Sequence, residues 1–235
     1  MASKISFQKY SEQYDLLLKY STPYIELLGI LKKYLIKYFL DKEDITVLEI
    51  GAGTGNVSEL IQSTLNTKQI DLVEPSIEMM ALAKPKLNGS KSSYHLSDFF
   101  DFKSSTKYDL IICIHALYLM ENSESLVSKF KEYMHKNSIL IICDIGQEMN
   151  VWKWTKHLFI KNLPKHGFLK TMKVLYAGKE VRKSNLEIQK KQQQGVIWKH
   201  TLKEFKSKFS KEYQIIEERV CFLECSNLLV CKLKG

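Results

Sequence analysis

The sequence predicts an α/β fold, a mostly parallel sheet with helices on both faces. From about residue 45 to 145, short apolar runs alternate with segments of helical spacing. That order builds a parallel sheet covered on both sides. The first run, "ITVLEI", leads into "GAGTG", three glycines at every second position where a strand hands over to a helix. An open α/β sheet places its ligand at such a strand end. With 235 residues, 45% of them hydrophobic, the chain is long enough to bury a core of one domain's size.

Taken in order, Thr22-Pro23 reads as an N-cap followed by proline at the first helical position, and Ile25, Leu28, Leu31, Leu35 and Phe39 then keep helical spacing. The first strand, 45–50, follows that helix. Next come a helix in "VSELIQSTL", a strand in "QIDLVEP", a helix in "IEMMALAKPKL" and strands in "SSYHLSDFF" and "YDLIICIHAL". A helix in "SESLVSKFKEYMH" and a strand in "SILIICDI" complete the rhythm. Residues 148–205 break it: "VWKWTKHLFIKNLP" and "EVRKSNLEIQKKQQQ" are helical and rich in lysine. We read them as a lid or substrate insertion. "YQIIEERVCFLE" and "SNLLVCKLK" read as a hairpin at the sheet's edge. The expectation is one domain over 1–235, with N-terminal helices (1–40), a ligand-binding core (41–147), a helical lid (148–205) and a C-terminal hairpin (206–235).

Composition narrows the function. "MASKISFQKYSEQYD" lacks the charged-then-apolar order of a signal peptide, and "YIELLGILKKYLIKYFL" is interrupted by Lys32, Lys33 and Lys37. No membrane span is expected, and a cytoplasmic location is. Five cysteines without a C-x-x-C pair fit free thiols, and Cys221 and Cys225 have no histidine at ligand spacing, so no metal is expected. Net charge is +9, and it is regional: 151–211 holds 16 Lys and Arg against 3 acidic residues. Such a patch suits nucleic acid or another anionic partner. However, Arg182 and Arg219 are the only arginines, whereas bidentate phosphate recognition recruits arginine. Nucleic acid is therefore a possible partner, not the favoured one.

Gly51, Gly53 and Gly55 let a ligand meet the backbone itself. Glu74, at the end of the second strand about twenty residues on, is placed to accept hydrogen bonds from both hydroxyls of a ribose. A nucleoside cofactor is implied. A dinucleotide fingerprint would need its third glycine where Asn56 stands, and a phosphate-binding loop would need a lysine that is absent.

What remains, E-x-G-x-G-x-G from Glu49 to Gly55, resembles motif I of class I S-adenosylmethionine-dependent methyltransferases, and the likeness covers most of the chain. It implies a Rossmann-like seven-stranded sheet with an antiparallel C-terminal strand. It also implies S-adenosylmethionine as cofactor, bound by Glu49, Gly51, Ala52, Gly53 and Gly55, by Glu74, Pro75 and Met79, by Asp98 and Phe99 at the adenine, and by Ile114. More narrowly, "KYSEQYDLLLKYST", "VEPSIEMMALAK", "ICIHALYLM" and "VWKWTKHLFIKNLP" resemble histamine N-methyltransferase. That likeness puts Tyr10 beside the cofactor, while the family's amine-holding glutamate is Pro23 here and its substrate-contacting glutamine is His115.

Methyl transfer from a sulfonium is an in-line displacement in which positioning dominates. His115 is the candidate base, or a residue that shapes the pocket. Tyr14, Tyr118, Trp152, Trp154 and Glu224 are candidate acceptor contacts, the aromatics offering ring faces to a cation. The expected activity is methyl transfer to a small-molecule nitrogen, an amine or imidazole-like, by a monomer or homodimer. The alternatives are an RNA or protein methyltransferase using the basic segment, although no Asp/Asn-Pro-Pro-Tyr motif occurs, and a non-catalytic cofactor-binding module.

Overall fold

A computed structural model describes residues 7–87, 89–120 and 124–234. Two helices, α1 (Phe7–Leu18) and α2 (Thr22–Phe39), precede β1 (Ile45–Ile50), α3 (Asn56–Thr64), β2 (Thr67–Val73), α4 (Ile77–Ala83), β3 (Ser92–His95) and β4 (Tyr108–Ile114). Then follow α5 (Glu124–Lys131), β5 (Met134–Ile145), α6 (Val151–Ala177), α7 (Lys179–Gln193), α8 (Leu202–Ser210), β6 (Tyr213–Cys221) and β7 (Ser226–Leu233). The strands form one sheet in the order β3-β2-β1-β4-β5-β7-β6. Only β7 is reversed, running antiparallel to both β5 and β6. The expected mostly parallel seven-stranded sheet is thus the one observed.

Alternate residues of each central strand enter opposite cores, which is why these strands read as continuous apolar runs. Val47, Ile70, Leu110 and Ile141 pack with Leu27, Leu31, Leu35 and Phe39 of α2 and Ile61 of α3. Leu48, Ile111, Ile142 and Leu229 pack on the other face with Phe130 of α5 and with Phe205 and Phe209 of α8.

Several boundaries shift for local reasons. The N-cap of α2 is Ser21, not Thr22. Thr22 Oγ1 instead hydrogen-bonds His157 Nε2 at 2.9 Å. α4 stops at Ala83 and tightens into a 3-10 turn over 84–86, because Pro85 has no amide hydrogen to continue the ladder. β3 ends at His95, short of the full "SSYHLSDFF" run.

The insertion also ends earlier than expected. Thr201 and Glu204 form a capping box that starts α8, and Phe205 and Phe209 are buried against the sheet. Residues 202–210 are therefore core, and the insertion proper is α6 and α7. α6 is broken at Gly167, whose φ is 74°, three residues after Pro164. Both insertion helices dock on the N-terminal pair: Asn162 Nδ2 donates to Tyr20 O at 2.9 Å, and Glu180 N donates to Gln13 Oε1 at 3.0 Å. Among the described residues no helix is long and apolar enough to cross a membrane, and no group of side chains could hold a metal ion. The five cysteines are free thiols.

Phe205→Ala should destabilise the protein by about 3–5 kcal/mol, as expected for a large aromatic removed from a filled core. Trp152→Ala, at a side chain 76% exposed, should stay within about 0.5 kcal/mol. Urea unfolding of the two variants measures both; equal small effects would mean that α8 is not part of the core.

Candidate functional site

The strand order reverses between β1 and β4, and the loops at the carboxyl ends of β1, β2 and β4 diverge there to leave a cleft of about 950 Å³. The loop after β1 turns at once. Gly51 N and Ala52 N donate to Val73 O at 2.9 and 3.2 Å, and Gly51, Gly53 and Gly55 all hold positive φ (67°, 54° and 76°). Their reasons for being glycine differ. A Cβ on Gly51 would overlap Ala116 Cβ, and one on Gly55 would stand 2.9 Å from Ala83 Cβ. A Cβ on Gly53 would meet nothing within 4 Å beyond its chain neighbours, so that face of the loop is open to a ligand.

Glu74 ties the loop to β2. Its Oε2 accepts from Gly53 N and its Oε1 from Ser76 N, both at 2.9 Å. Burial raises its pKa, and these two amides oppose the rise. A carboxylate has about four acceptor positions, so two remain for a ribose diol. Glu49 is buried, accepts from Ser58 Oγ, and is pushed up to about 7 by burial.

The N-terminal helix closes one side of the site. Asp15 Oδ1 accepts from Thr54 Oγ1 at 2.6 Å and Asn56 Nδ2 at 3.1 Å, while Asp15 Oδ2 pairs with Lys86 Nζ at 2.5 Å. Tyr14 is thereby carried to the cleft wall.

Of the expected cofactor residues, Glu49, Gly51, Ala52, Gly53, Glu74, Pro75, Met79, Asp98, Phe99 and Ile114 line the cleft. Gly55 does not; it caps α3. Tyr10 belongs to α1, and its side chain lies outside the described residues. The wall carries four carboxylates, Glu49, Glu74, Glu78 and Asp98, against one ammonium, Lys191. A glycine loop open at Gly53, a carboxylate at the end of β2 and a negative surround fit a nucleoside bearing a sulfonium. The carboxylates would oppose the charge of a phosphate-bearing cofactor.

A second, smaller chamber of about 110 Å³ adjoins the cleft, and Tyr14, Tyr24, His115 and Tyr118 line both. The remaining chamber wall comes from α1, α6, α7 and the β6–β7 turn, with Ser21, Ile145 and Met149. His115 sits at the junction with φ 53°. Its Nε2 is 2.9 Å from Ser226 Oγ and 3.7 Å from Cys143 Sγ. Burial lowers its pKa to about 4. It is therefore neutral at pH 7 and too weakly basic to take a proton from an ammonium.

Trp154 lines the chamber, packed on Phe222 at 4.5 Å, and Phe222 packs on His115 at 4.4 Å. Two expected contacts are absent from it. Trp152 points outward at 76% exposure because the helical period turns it away from Trp154. Glu224 is exposed at the hairpin turn, where Phe222, Leu223 and Glu224 all take positive φ, and that turn delivers Phe222 to the wall instead.

Asp15, Arg182, Asn185, Lys191 and Phe222 are cavity-lining or supporting residues that the sequence reading does not single out. For Arg182 and Asn185 a signal exists: Val181, Ser184, Ile188 and Gln192 repeat at helical spacing and are buried, which marks one face of α7 as inward.

Residues 26–191 match the family model described as methyltransferase domain. Ubiquinone biosynthesis O-methyltransferase of Rickettsia canadensis is 28% identical over 145 residues, 61% of this chain; the match spans 61% of that relative's own length. Among solved structures, the N-methyltransferase NodS from Bradyrhizobium japonicum WM9 in complex with S-adenosyl-l-homocysteine superposes with a TM-score of 0.64 at 12% identity, covering 97% of this chain and 100% of that one. The plantazolicin methyltransferase BpumL, in complex with a triazolic desmethylPZN analog and S-adenosylhomocysteine, gives 0.59 at 16% identity, covering 100% of each chain. These likenesses agree with the class I methyltransferase pattern and lend no support to the narrower histamine N-methyltransferase resemblance.

Gly53→Ala should cost only the strain of its positive φ, about 1–2 kcal/mol, yet weaken S-adenosylhomocysteine binding, because the added methyl faces the cleft. Glu74→Ala should lower both stability and affinity by stripping two loop amides of their acceptor, about 1–3 kcal/mol for each group left unsatisfied. Calorimetric titration beside thermal melting separates the two effects; wild-type affinity in both variants would rule out this cleft as the cofactor site.

Proposed function

The chain belongs to the methyltransferase-domain family, and on that premise we propose that it is an S-adenosylmethionine-dependent methyltransferase acting on a small molecule that presents a neutral nitrogen, most simply in a heteroaromatic ring. The observation that carries the acceptor reading is the character of the second chamber. Its walls are mainly aromatic and aliphatic, Arg182 is the charged side chain among them, and no carboxylate of the described residues lines it. An ammonium would enter without a counter-charge and with no base of suitable pKa to deprotonate it. A phenol would also need a proton acceptor stronger than the neutral His115. An aromatic nitrogen with pKa near 6.5 already exposes its lone pair at pH 7.

Bound S-adenosylmethionine supplies a methyl group on a sulfonium, so the acceptor needs a lone pair, alignment and dryness. The glycine loop and Glu74 hold the donor end of the site, while Tyr14, Tyr24, His115 and Tyr118 form the boundary between cleft and chamber. Burial raises the pKa of Tyr14 to about 12 and that of Tyr118 further, so both remain neutral phenols across the working range. Their hydroxyls accept or donate hydrogen bonds without adding charge. Holding an acceptor about 3–3.5 Å from the methyl contributes up to about 7–11 kcal/mol by pre-orientation, which is the main effect available here. The role proposed for His115 is to fix the wall through Ser226 and Phe222. The exposed lysines of α6 give less support to an RNA or protein acceptor, since the charged face lies outside the chamber.

S-adenosylhomocysteine release over a panel of imidazoles, pyridines, primary amines and phenols tests the reading. Neutral heteroaromatic nitrogens should turn over, and turnover confined to phenols or carboxylic acids would refute it. His115→Gln should keep kcat within about threefold of wild type with no inflection between pH 6 and 8. A loss of about 10²-fold or more, as expected on removing a general base, would restore the base assignment.

A further inference from the structure

We propose that the chamber is built for an acceptor that also carries an anion, and that Arg182, with Asn185 one turn along α7, holds a carboxylate or similar oxyanion of the substrate at the end away from the methyl donor. This rests on the methyl-transfer reading and names the substrate class of that same site.

Among the described residues, Arg182 is the only Lys, Arg, Asp or Glu on the chamber wall. It is half-buried, its Nη1 donates to Leu175 O, and it forms no ion pair among the described residues. Burial lowers its pKa, with no opposing charge to raise it. Withdrawing a guanidinium from water without a partner is costly, and the cost is recovered when a ligand brings the counter-charge. Asn185, three residues on, shares its helix face and lines the same chamber. Val181 and Ile188, both buried at 3% exposure, flank the pair on α7. A guanidinium fork beside a carboxamide is an arrangement suited to two carboxylate oxygens.

The position of the pair fixes the substrate's direction. Arg182 and Asn185 line the chamber and not the cofactor cleft, whereas His115 and Tyr118 line both. The reacting nitrogen therefore lies toward His115 and the anion toward α7. Charge sorts the two ligands in the same sense: four carboxylates surround the donor cleft and one guanidinium the acceptor chamber. A purely structural Arg182, capping the Leu175 carbonyl at the end of α6, would affect stability without discriminating among ligands.

Calorimetric titration of the full chain, saturated with S-adenosylhomocysteine, tests this with imidazole-4-acetate, 4-methylimidazole, histamine and benzoate. Imidazole-4-acetate should bind about tenfold or more tighter than 4-methylimidazole or histamine, the order expected for a charge-assisted hydrogen bond. Arg182→Met should erase that preference while leaving S-adenosylhomocysteine affinity unchanged, and Arg182→Lys should keep part of it. Should Arg182→Met fail to fold, the lysine variant and Asn185→Leu carry the same comparison. The proposal falls if no anion binds tighter to wild type than to Arg182→Met, or if histamine binds as well as imidazole-4-acetate. Failure of S-adenosylhomocysteine itself to bind would instead overturn the methyltransferase reading, and the anion preference can be measured without it.

Discussion

The carboxylate of Glu74 ties together the two loops that leave the ends of β1 and β2. β1 and β2 lie side by side in register up to Ile50 and Val73, and beyond them the chain must leave the sheet at a point where the neighbouring connection, from β4, goes the other way. One oxygen of Glu74 takes the amide of Gly53 and the other that of Ser76, so the glycine turn and the start of α4 are held at fixed spacing by a single side chain. Asp15 adds the N-terminal helix to this assembly through Thr54 and Asn56. The cleft, the position of Tyr14 and the docking of α6 and α7 on α1 and α2 follow from that arrangement.

Where local signals and tertiary demand coincide, the sequence foretells the structure closely. β1 occupies the residues expected of it and α2 begins only one residue early, because a run of branched apolar residues and a proline-started amphipathic helix leave little choice. Pro85 shortens α4 for a reason also visible in the sequence. The end of the insertion was not legible, since "TLKEFKSKFS" is as rich in lysine as what precedes it, and only the burial of Phe205 and Phe209 assigns it to the core. Glu224 was misjudged for another reason: three successive residues of positive φ change which side chain of the hairpin turn faces inward, and no glycine announces it. Trp152 and Trp154 look equivalent in sequence, yet a helix sends residues two apart to different faces.

The two cavities divide a chemical problem between them. A cationic donor is favoured by the carboxylates around the cleft, and Glu49, held near neutrality by burial, lets that field weaken as pH falls. An acceptor that must attack with a free lone pair is better served by the adjoining apolar chamber, where His115 is neutral and the tyrosines stay protonated. On the proposed reading, ordered side chains rather than proton transfer would carry the chemistry, in keeping with a displacement that creates no strong new charge.

The basic character of the insertion has two parts that composition merges. All of the Lys and Arg residues of 151–211 are exposed except Arg182, Lys191 and Lys208. The exposed lysines are solvated, and two are paired with acids at the surface, Lys206 with Glu218 at 2.7 Å and Lys211 with Glu124 at 2.6 Å. Such pairs contribute about 0–1 kcal/mol each. Lys208 lies over the Trp198 ring at 4.5 Å, a packing role. The other two face the cavities, Lys191 the donor cleft and Arg182 the acceptor chamber. A net charge of +9 says little about partners when most of it meets water; Arg182 and Lys191 are the two cations of this segment that line a cavity, from opposite flanks of the buried stripe of α7.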